Sequence, residues 1–238
     1  MNDPRPACAL TIAGSDSGGG AGIQADLRTF AAHGVHGLCA IAALTAQHTR
    51  GVTAVQVPPV AFLRAQLDAC FDDFRIGAVK IGMLASVEVI ACVAEALEAH
   101  RPPHVVLDPV MVATSGAKLL QDDALHALRT RLLPLASIVT PNIPEAELLL
   151  AHPVVGAARV ESALAEFTDD LGARAVLLKG GHLPGDGPML DRYWDGETVA
   201  MFGHDRLALE AHGTGCTLAS AIAANLCLGM PMQQACAA

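Results

Sequence analysis

Apolar positions along this chain fall into two recurring patterns. Short runs with little alternation occupy residues 7–13 (ACALTIA), 37–44 (GLCAIAAL), 78–81 (AVKI), 105–107 (VVL), 137–139 (SIV) and 175–178 (AVLL). Runs of this kind read as strands buried on both faces. Longer segments between them predict helices over about 23–33, 59–74, 86–100, 122–132, 142–150 and 160–171, with an Ala-rich one over 218–228. Ser86 supplies an N-cap and Glu88 a first-turn acid for the third of these. Residues 52–57 alternate and predict an edge strand or flap, while 191–195 and 197–202 predict a small antiparallel hairpin around Gly196. Strand and helix alternate along most of the chain without a linker-like break. The expectation is therefore one α/β domain with a mostly parallel central sheet and helices on both faces.

Composition supports that layering. Of 238 residues, 52% are hydrophobic but only 3% aromatic, so the core must be filled by Ala, Val, Leu and Ile. The formal net charge of −9 and the lack of a basic patch predict no nucleic-acid partner, yet leave room for a small phosphorylated ligand. The seven cysteines are scattered, with no Cys-x-x-Cys pair. That usage argues against a disulfide framework or zinc knuckle and predicts a reducing, cytoplasmic setting. No signal-peptide pattern opens the chain, and no run approaches the roughly 18 apolar residues of a membrane span.

The chemistry-bearing residues gather where the predicted strands end. After the first comes Gly14-Ser15-Asp16-Ser17-Gly18-Gly19-Gly20-Ala21-Gly22, then a helix. Its spacing is neither common nucleotide signature: Ile23 stands where G-x-G-x-x-G needs glycine, and none of Lys80, Lys118 and Lys179 completes a Walker motif. The loop is either a plain turn or a place of close backbone approach. Asp26 is expected in the first helical turn, facing the loop, where dipole compensation would explain it equally well. Gln47, in the polar stretch after the second strand, both donates and accepts, as an aminopyrimidine edge requires. Asp108 precedes Pro109 at another strand tip, and 112–118 form a candidate lid. Asn142, Pro144 and Glu145 have the form of a helix cap, which alone would explain them. Lys179 stands before Gly180-Gly181-His182. In His212-Gly213-Thr214-Gly215-Cys216-Thr217, glycines open the Ala-rich helix, where free N–H groups suit an anion and favour a thiolate at Cys216. Taken alone, that stretch could also be a helix start and nothing more. In a parallel sheet all these ends lie on one edge.

Seven segments together resemble the hydroxymethylpyrimidine and phosphomethylpyrimidine kinases of thiamine biosynthesis, in the ribokinase-like superfamily. They are AGSDSGGGAGIQADLRTF (13–30), TAQHTRGV (45–52), KIGML (80–84), VVLDPVM (105–111), TPNIPEAELLL (140–150), LLKGGH (177–182) and HGTGCT (212–217). The resemblance implies a three-layer α/β/α sandwich and ATP-dependent phosphorylation of 4-amino-5-hydroxymethyl-2-methylpyrimidine, then of its monophosphate. It implies an anion hole at Gly213, Thr214 and Gly215, with Cys216 as base. Lys179, Asn142 and Thr214 would meet ATP, and Glu145 and Asp108 would hold Mg²⁺ through waters. Gly14, Asp26, Gln47, Met83 and Val110 would line the pyrimidine pocket. Homodimers are common in that family. Its members usually continue with another helix and a glycine-rich tail, which residues 1–238 are expected to lack. Rival readings are a pyridoxal or dual-specificity vitamin kinase and a non-catalytic pyrimidine-binding protein.

Overall fold

The computed structural model describes residues 6–111, 123–181, 189–205 and 212–238. The candidate lid at 112–118 and His182 fall outside them. In chain order the elements are β1 (Cys8–Asp16), α1 (Gly22–Ala32), β2 (His36–His48), β3 (Gly51–Gln56), α2 (Val60–Asp73), β4 (Ile76–Ile81), α3 (Val87–His100) and β5 (His104–Leu107). Next come α4 (Ala124–Ala127), β6 (Ile138–Val139), α5 (Ile143–Leu150), α6 (Ala157–Asp169), β7 (Val176–Leu178), β8 (Met189–Trp194), β9 (Val199–His204), α7 (Thr214–Cys227) and α8 (Met232–Ala237).

Among the described residues the strands form one sheet of nine, in the order β3-β2-β1-β4-β5-β6-β7-β8-β9. Pairing is parallel from β2 through β7 and antiparallel at both margins, where β3 joins β2 and β8 and β9 follow β7. The chain steps outward from β1 to β2 and then returns to the other side of β1 with β4. That reversal opens a crevice at the carboxyl ends of β1 and β4.

Alternating residues of each strand feed two separate cores. Leu10 and Ile12 of β1 join Leu63, Val89, Ile143 and Val160 under α2, α3, α5 and α6. Ala9, Ala78 and Val106 face the other way, against Phe30 of α1 and Ala219, Ile222 and Ala223 of α7. Small residues on both sides of that second interface bring α7 close to β4 and β5. Phe30 is fully buried there, a gain of about 1.5–3 kcal/mol for a side chain of that size.

Among the boundaries that differ from the sequence reading, two bear on the cleft and a third is local. β2 runs on to His48, so Gln47 lies in a strand, paired with Val52 of β3, and not in a loop. α7 begins at Thr214, four residues before the predicted Leu218, which places Thr214, Gly215 and Cys216 in its first turn. Of the helix expected over 122–132, only α4 is α-helical. A π-helical turn (Leu128–Leu132) and a 3₁₀ turn (Leu133–Leu135) follow, the latter with Pro134 in its first turn, where no N–H is needed.

Candidate active site

At one end of the crevice, Gly213 caps α7 with φ 83, a left-handed conformation that glycine adopts without strain. A Cβ there would also overlap the carbonyl of Gly20. No side chain caps α7, so its first N–H groups and positive dipole end open onto the cleft. Gly215 is bare for a different reason: a Cβ would stand 3.2 Å from Lys179 Nζ and 3.7 Å from an Asp108 carboxylate oxygen.

Lys179 is positioned by the end of β7, where its N–H donates to the Pro141 carbonyl at 2.8 Å. Its ammonium lies 3.1 Å from Asp108 Oδ1 and 3.9 Å from Glu145 Oε2. Thr140 Oγ1 donates to the same Asp108 oxygen at 3.2 Å. Asn142 and Glu145 form a reciprocal capping box, each side chain accepting the other's backbone N–H at 2.9 Å. The capping reading is thus correct, and the same cap points a buried carboxylate at Lys179. Burial raises the Glu145 pKa to about 7, with Asp108 adding to the rise and Lys179 opposing it. Burial would lower the Lys179 pKa, but Asp108 and Glu145 outweigh it and hold the ammonium above its ordinary range.

Cys216 lines the cleft together with this group and with Gly22 of α1, whose N–H favours its thiolate. The helix N-terminus, which favours a thiolate, is opposed here by burial. Burial pushes the thiol up, Asp108 and Asp26 push the same way, and Lys80 and the Gly22 N–H only partly offset them.

The other end of the cleft is formed by β1, β2 and β4. Asp16 closes the glycine loop on itself: its carboxylate accepts from Gly18 N at 2.8 Å, Gly20 N at 3.0 Å and Ala21 N at 2.9 Å. The close approach that the glycines permit is therefore to a carboxylate of the same chain. Burial alone would raise the Asp16 pKa; the Ala21 and Gly18 N–H groups and His212 lower it below 3.8. Ser17 ties the loop to β2 through the backbone carbonyl and N–H of Gln47, both at 2.8 Å. The Gln47 amide lies between His212 Nε2, at 2.8 Å, and Thr45 Oγ1, at 2.9 Å. His212 Nε2 also approaches Asp16 at 3.3 Å. Met83 lines the wall beside Gly14, where a Cβ would stand 3.3 Å from its sulfur.

One cleft of about 620 Å³ joins the two ends. It brings together Gly14, Gln47, Met83, Asp108, Val110, Asn142, Glu145, Lys179, Gly213, Thr214, Gly215 and Cys216. Asp26 is the exception. It is fully buried, lies outside the lining and belongs to the second turn of α1, because the helix already starts at Gly22. There it pairs with Lys80, whose Nζ is 2.9 and 3.0 Å from its two oxygens. Sequence reasoning missed Lys80, Asp16, Thr45, His212, Asp191 and His204 in the lining. Lysine inside an apolar strand (AVKI) was a readable signal for the first; Asp16, Thr45 and His212 lie in stretches already marked as candidate chemistry, whereas Asp191 and His204 carried no such signal.

The acids at the α7 end suit a hard cation. Oxygen donors from Asp108 and Glu145 face the cleft, but both already have partners, and no cage of three or more His, Cys, Asp or Glu exists among the described residues. A Mg²⁺ ion held here would keep several waters and take its other oxygens from phosphate.

The sequence matches the profile of the family described as phosphomethylpyrimidine kinase over residues 16–238. It is 50% identical over 233 residues to the hydroxymethylpyrimidine/phosphomethylpyrimidine kinase of Rhizobium meliloti, covering 98% of this chain and 87% of that one. A crystal structure of phosphomethylpyrimidine kinase from Clostridium difficile superimposes with a TM-score of 0.86 at 41% identity, covering 96% of this chain and 94% of that one. A Bacillus subtilis pyridoxal kinase in complex with ADP gives a TM-score of 0.89 at 34% identity, covering 98% and 88%.

Proposed function

This chain belongs to the phosphomethylpyrimidine kinase family, and from that premise we propose that it transfers the γ-phosphoryl group of ATP to the hydroxymethyl group of 4-amino-5-hydroxymethyl-2-methylpyrimidine, and then a second phosphoryl group to the monophosphate. The observation that carries the reading is the convergence of the uncapped α7 N-terminus, Cys216 and Lys179 on one cleft.

The residues divide the work by position. The Gln47 amide, held between Thr45 and His212, reads the aminopyrimidine edge, with Met83 and Val110 against the ring. The N–H groups of Gly213, Thr214 and Gly215 receive the charge that develops on the phosphoryl oxygens. Lys179 and Asn142 orient the nucleotide phosphates. Asp108 and Glu145 would hold Mg²⁺, which would supply further neutralisation of phosphate charge.

Cys216 acts in its thiolate form, taking the hydroxyl proton in the first transfer: the O–H bond gives way to S–H as the new O–P bond forms and the bond to ADP breaks. The second acceptor is already an ionised phosphate and needs no base. Cys216→Ala is therefore expected to slow the first transfer by about 10²–10⁴ and the second by far less. Steady-state assays with each acceptor check this, and equal losses would remove Cys216 as the base. Gln47→Leu is expected to raise the Michaelis constant for the pyrimidine by roughly 5- to 150-fold, the equivalent of about 1–3 kcal/mol for an unpaired buried group, with that for ATP unchanged.

The overall reaction is tested by ³¹P NMR of the 238-residue chain with ATP, Mg²⁺ and the aminopyrimidine. Ligand binding without ADP formation would favour a non-catalytic binder. The similarity to pyridoxal kinases in fold and sequence supports a second reading, dual specificity, which competition between pyridoxal and the aminopyrimidine decides. Two further expectations accompany the proposal. A homodimer is read by light scattering and a cytoplasmic location by cell fractionation; among the described residues no helix is long and apolar enough to cross a membrane.

A further inference from the structure

A buried ion pair lies directly under the cleft, and the reaction just described does not use it. Asp26 of α1 accepts four hydrogen bonds, from Thr11 Oγ1 of β1 at 2.6 Å, Ser220 Oγ of α7 at 2.7 Å, and Lys80 Nζ of β4 at 2.9 and 3.0 Å. Both charged residues are fully buried. Buried pairs of this kind are seldom a net gain in stability over apolar residues of the same size, so their presence beside a cleft points to a role there. Four elements meet at this carboxylate. Ser220 stands one helical turn beyond Cys216, so the frame that fixes Lys80 also fixes the stretch of α7 that carries the sulfur.

Lys80 differs from Asp26 in reaching the cleft lining, which it shares with Cys216. The opening beside it is kept by Gly82, whose Cβ would press to 3.0 Å from Nζ. We propose that Lys80 is a positioning residue for the first transfer: locked by Asp26, its ammonium is the fixed counter-charge for the sulfur of Cys216. The inference rests on Cys216 being the base. The charged groups that bear on that sulfur are Lys80 from β4, Asp26 from α1, Asp108 after β5 and Lys179 after β7, together with the Gly22 N–H. Lys80 is the largest of the influences favouring the thiolate, and the other lysine is engaged by two carboxylates. Burial would lower the Lys80 pKa, but Asp26 overrides it, so the cation persists at any working pH.

The test uses the full chain with Lys80→Gln, which keeps a hydrogen-bond donor for Asp26 and removes the charge. Two readouts are needed: the pH dependence of Cys216 alkylation by iodoacetamide, followed by peptide mass spectrometry, and the rates of both transfers. The alkylation half-point is expected to rise by at least about one pH unit, equivalent to a tenfold smaller thiolate fraction. The first transfer is expected to fall by about tenfold or more at neutral pH and the second to stay within roughly threefold. If Lys80→Gln does not fold, the double variant Lys80→Gln/Asp26→Asn removes both charges of the pair and keeps its hydrogen-bonding groups; Lys80 bears on the sulfur more strongly than Asp26, so the half-point should still rise. A half-point that does not move in the expected direction in a folded variant overturns the proposal, as does a larger loss in the second transfer. Alkylation needs no turnover, so the two failures are distinguishable: loss of Cys216 as the base shows in the transfer rates of Cys216→Ala and removes the role in the first transfer, whereas an unmoved half-point shows that Lys80 does not act on the sulfur.

Discussion

Two glycine-rich loops open two helices in this molecule, and they use their N–H groups in opposite ways. The loop before α1 spends its amides on its own Asp16, which accepts from Gly18, Gly20 and Ala21. The start of α7 has no side-chain acceptor and faces the cleft. They also touch, since Gly213 can lie against the Gly20 carbonyl only because it has no side chain. Counting glycines therefore does not locate an anion site. What matters is whether a carboxylate already occupies the donors.

The sharpest way to break this contrast is Gly213→Ala. Its Cβ meets backbone at a φ of 83, so the α7 entry cannot form as it stands. Both transfers are expected to fall by about 10²–10³, the usual loss when preorganised donors to a developing anion are displaced. Near-normal rates for both acceptors would show that the α7 amides are not the anion hole. Asp16→Asn should act in the other loop and mainly on stability, by about 1–3 kcal/mol in denaturant unfolding, because a charged acceptor of three amides is weakened. The pH dependence has a definite sign. The folded pKa of Asp16 lies below 3.8, so its contribution is complete above about pH 4 and fades as the pH falls through the folded value. Melting curves of wild type and Asp16→Asn should converge at the acid end; a constant offset down to low pH would contradict this. The smallest effect belongs to Gly19→Ala. That glycine has φ 74 but open space around it, with no heavy atom nearer than an Arg28 nitrogen at 4.0 Å. A loss of about 1 kcal/mol in stability is expected, with both transfer rates unchanged. A slowed transfer would mean that this loop also serves the phosphate.

Much of the fold was legible because buried parallel strands are plain apolar runs and two of the helices, α3 and α5, carry caps at the right places. Ser86 accepts the Val89 N–H as its position implied, and Asn142 and Glu145 form the full capping box. Strand tips marked the site for a related reason: polar residues after an apolar run have one edge of the sheet on which to gather. Extents were less readable. Nothing in TAQH shows that β2 continues through it, because its partner β3 is supplied by the next segment of chain. Asp26 shows the limit most clearly. An acid near a helix start reads as dipole compensation or a pocket wall, and its actual partner, Lys80, lies 54 residues away in sequence. The thiol of Cys216 shows a second limit: a helix N-terminus favours a thiolate, but burial opposes it, as do carboxylates from α1 and from the segment after β5 that lie far away in sequence.

The reversal of strand order around β1 also bears on how such a molecule changes over generations. Apart from Val110 after β5, the residues proposed to read the acceptor ring come from β1, β2 and the turn after β4, whereas those proposed to handle phosphate follow β5, β6 and β7 or begin α7. Mutations in the first set alter which small molecule is taken up, and selection can accumulate them while the second set stays as inherited. A duplicated copy of the gene could drift toward a new substrate through one half of its sheet alone.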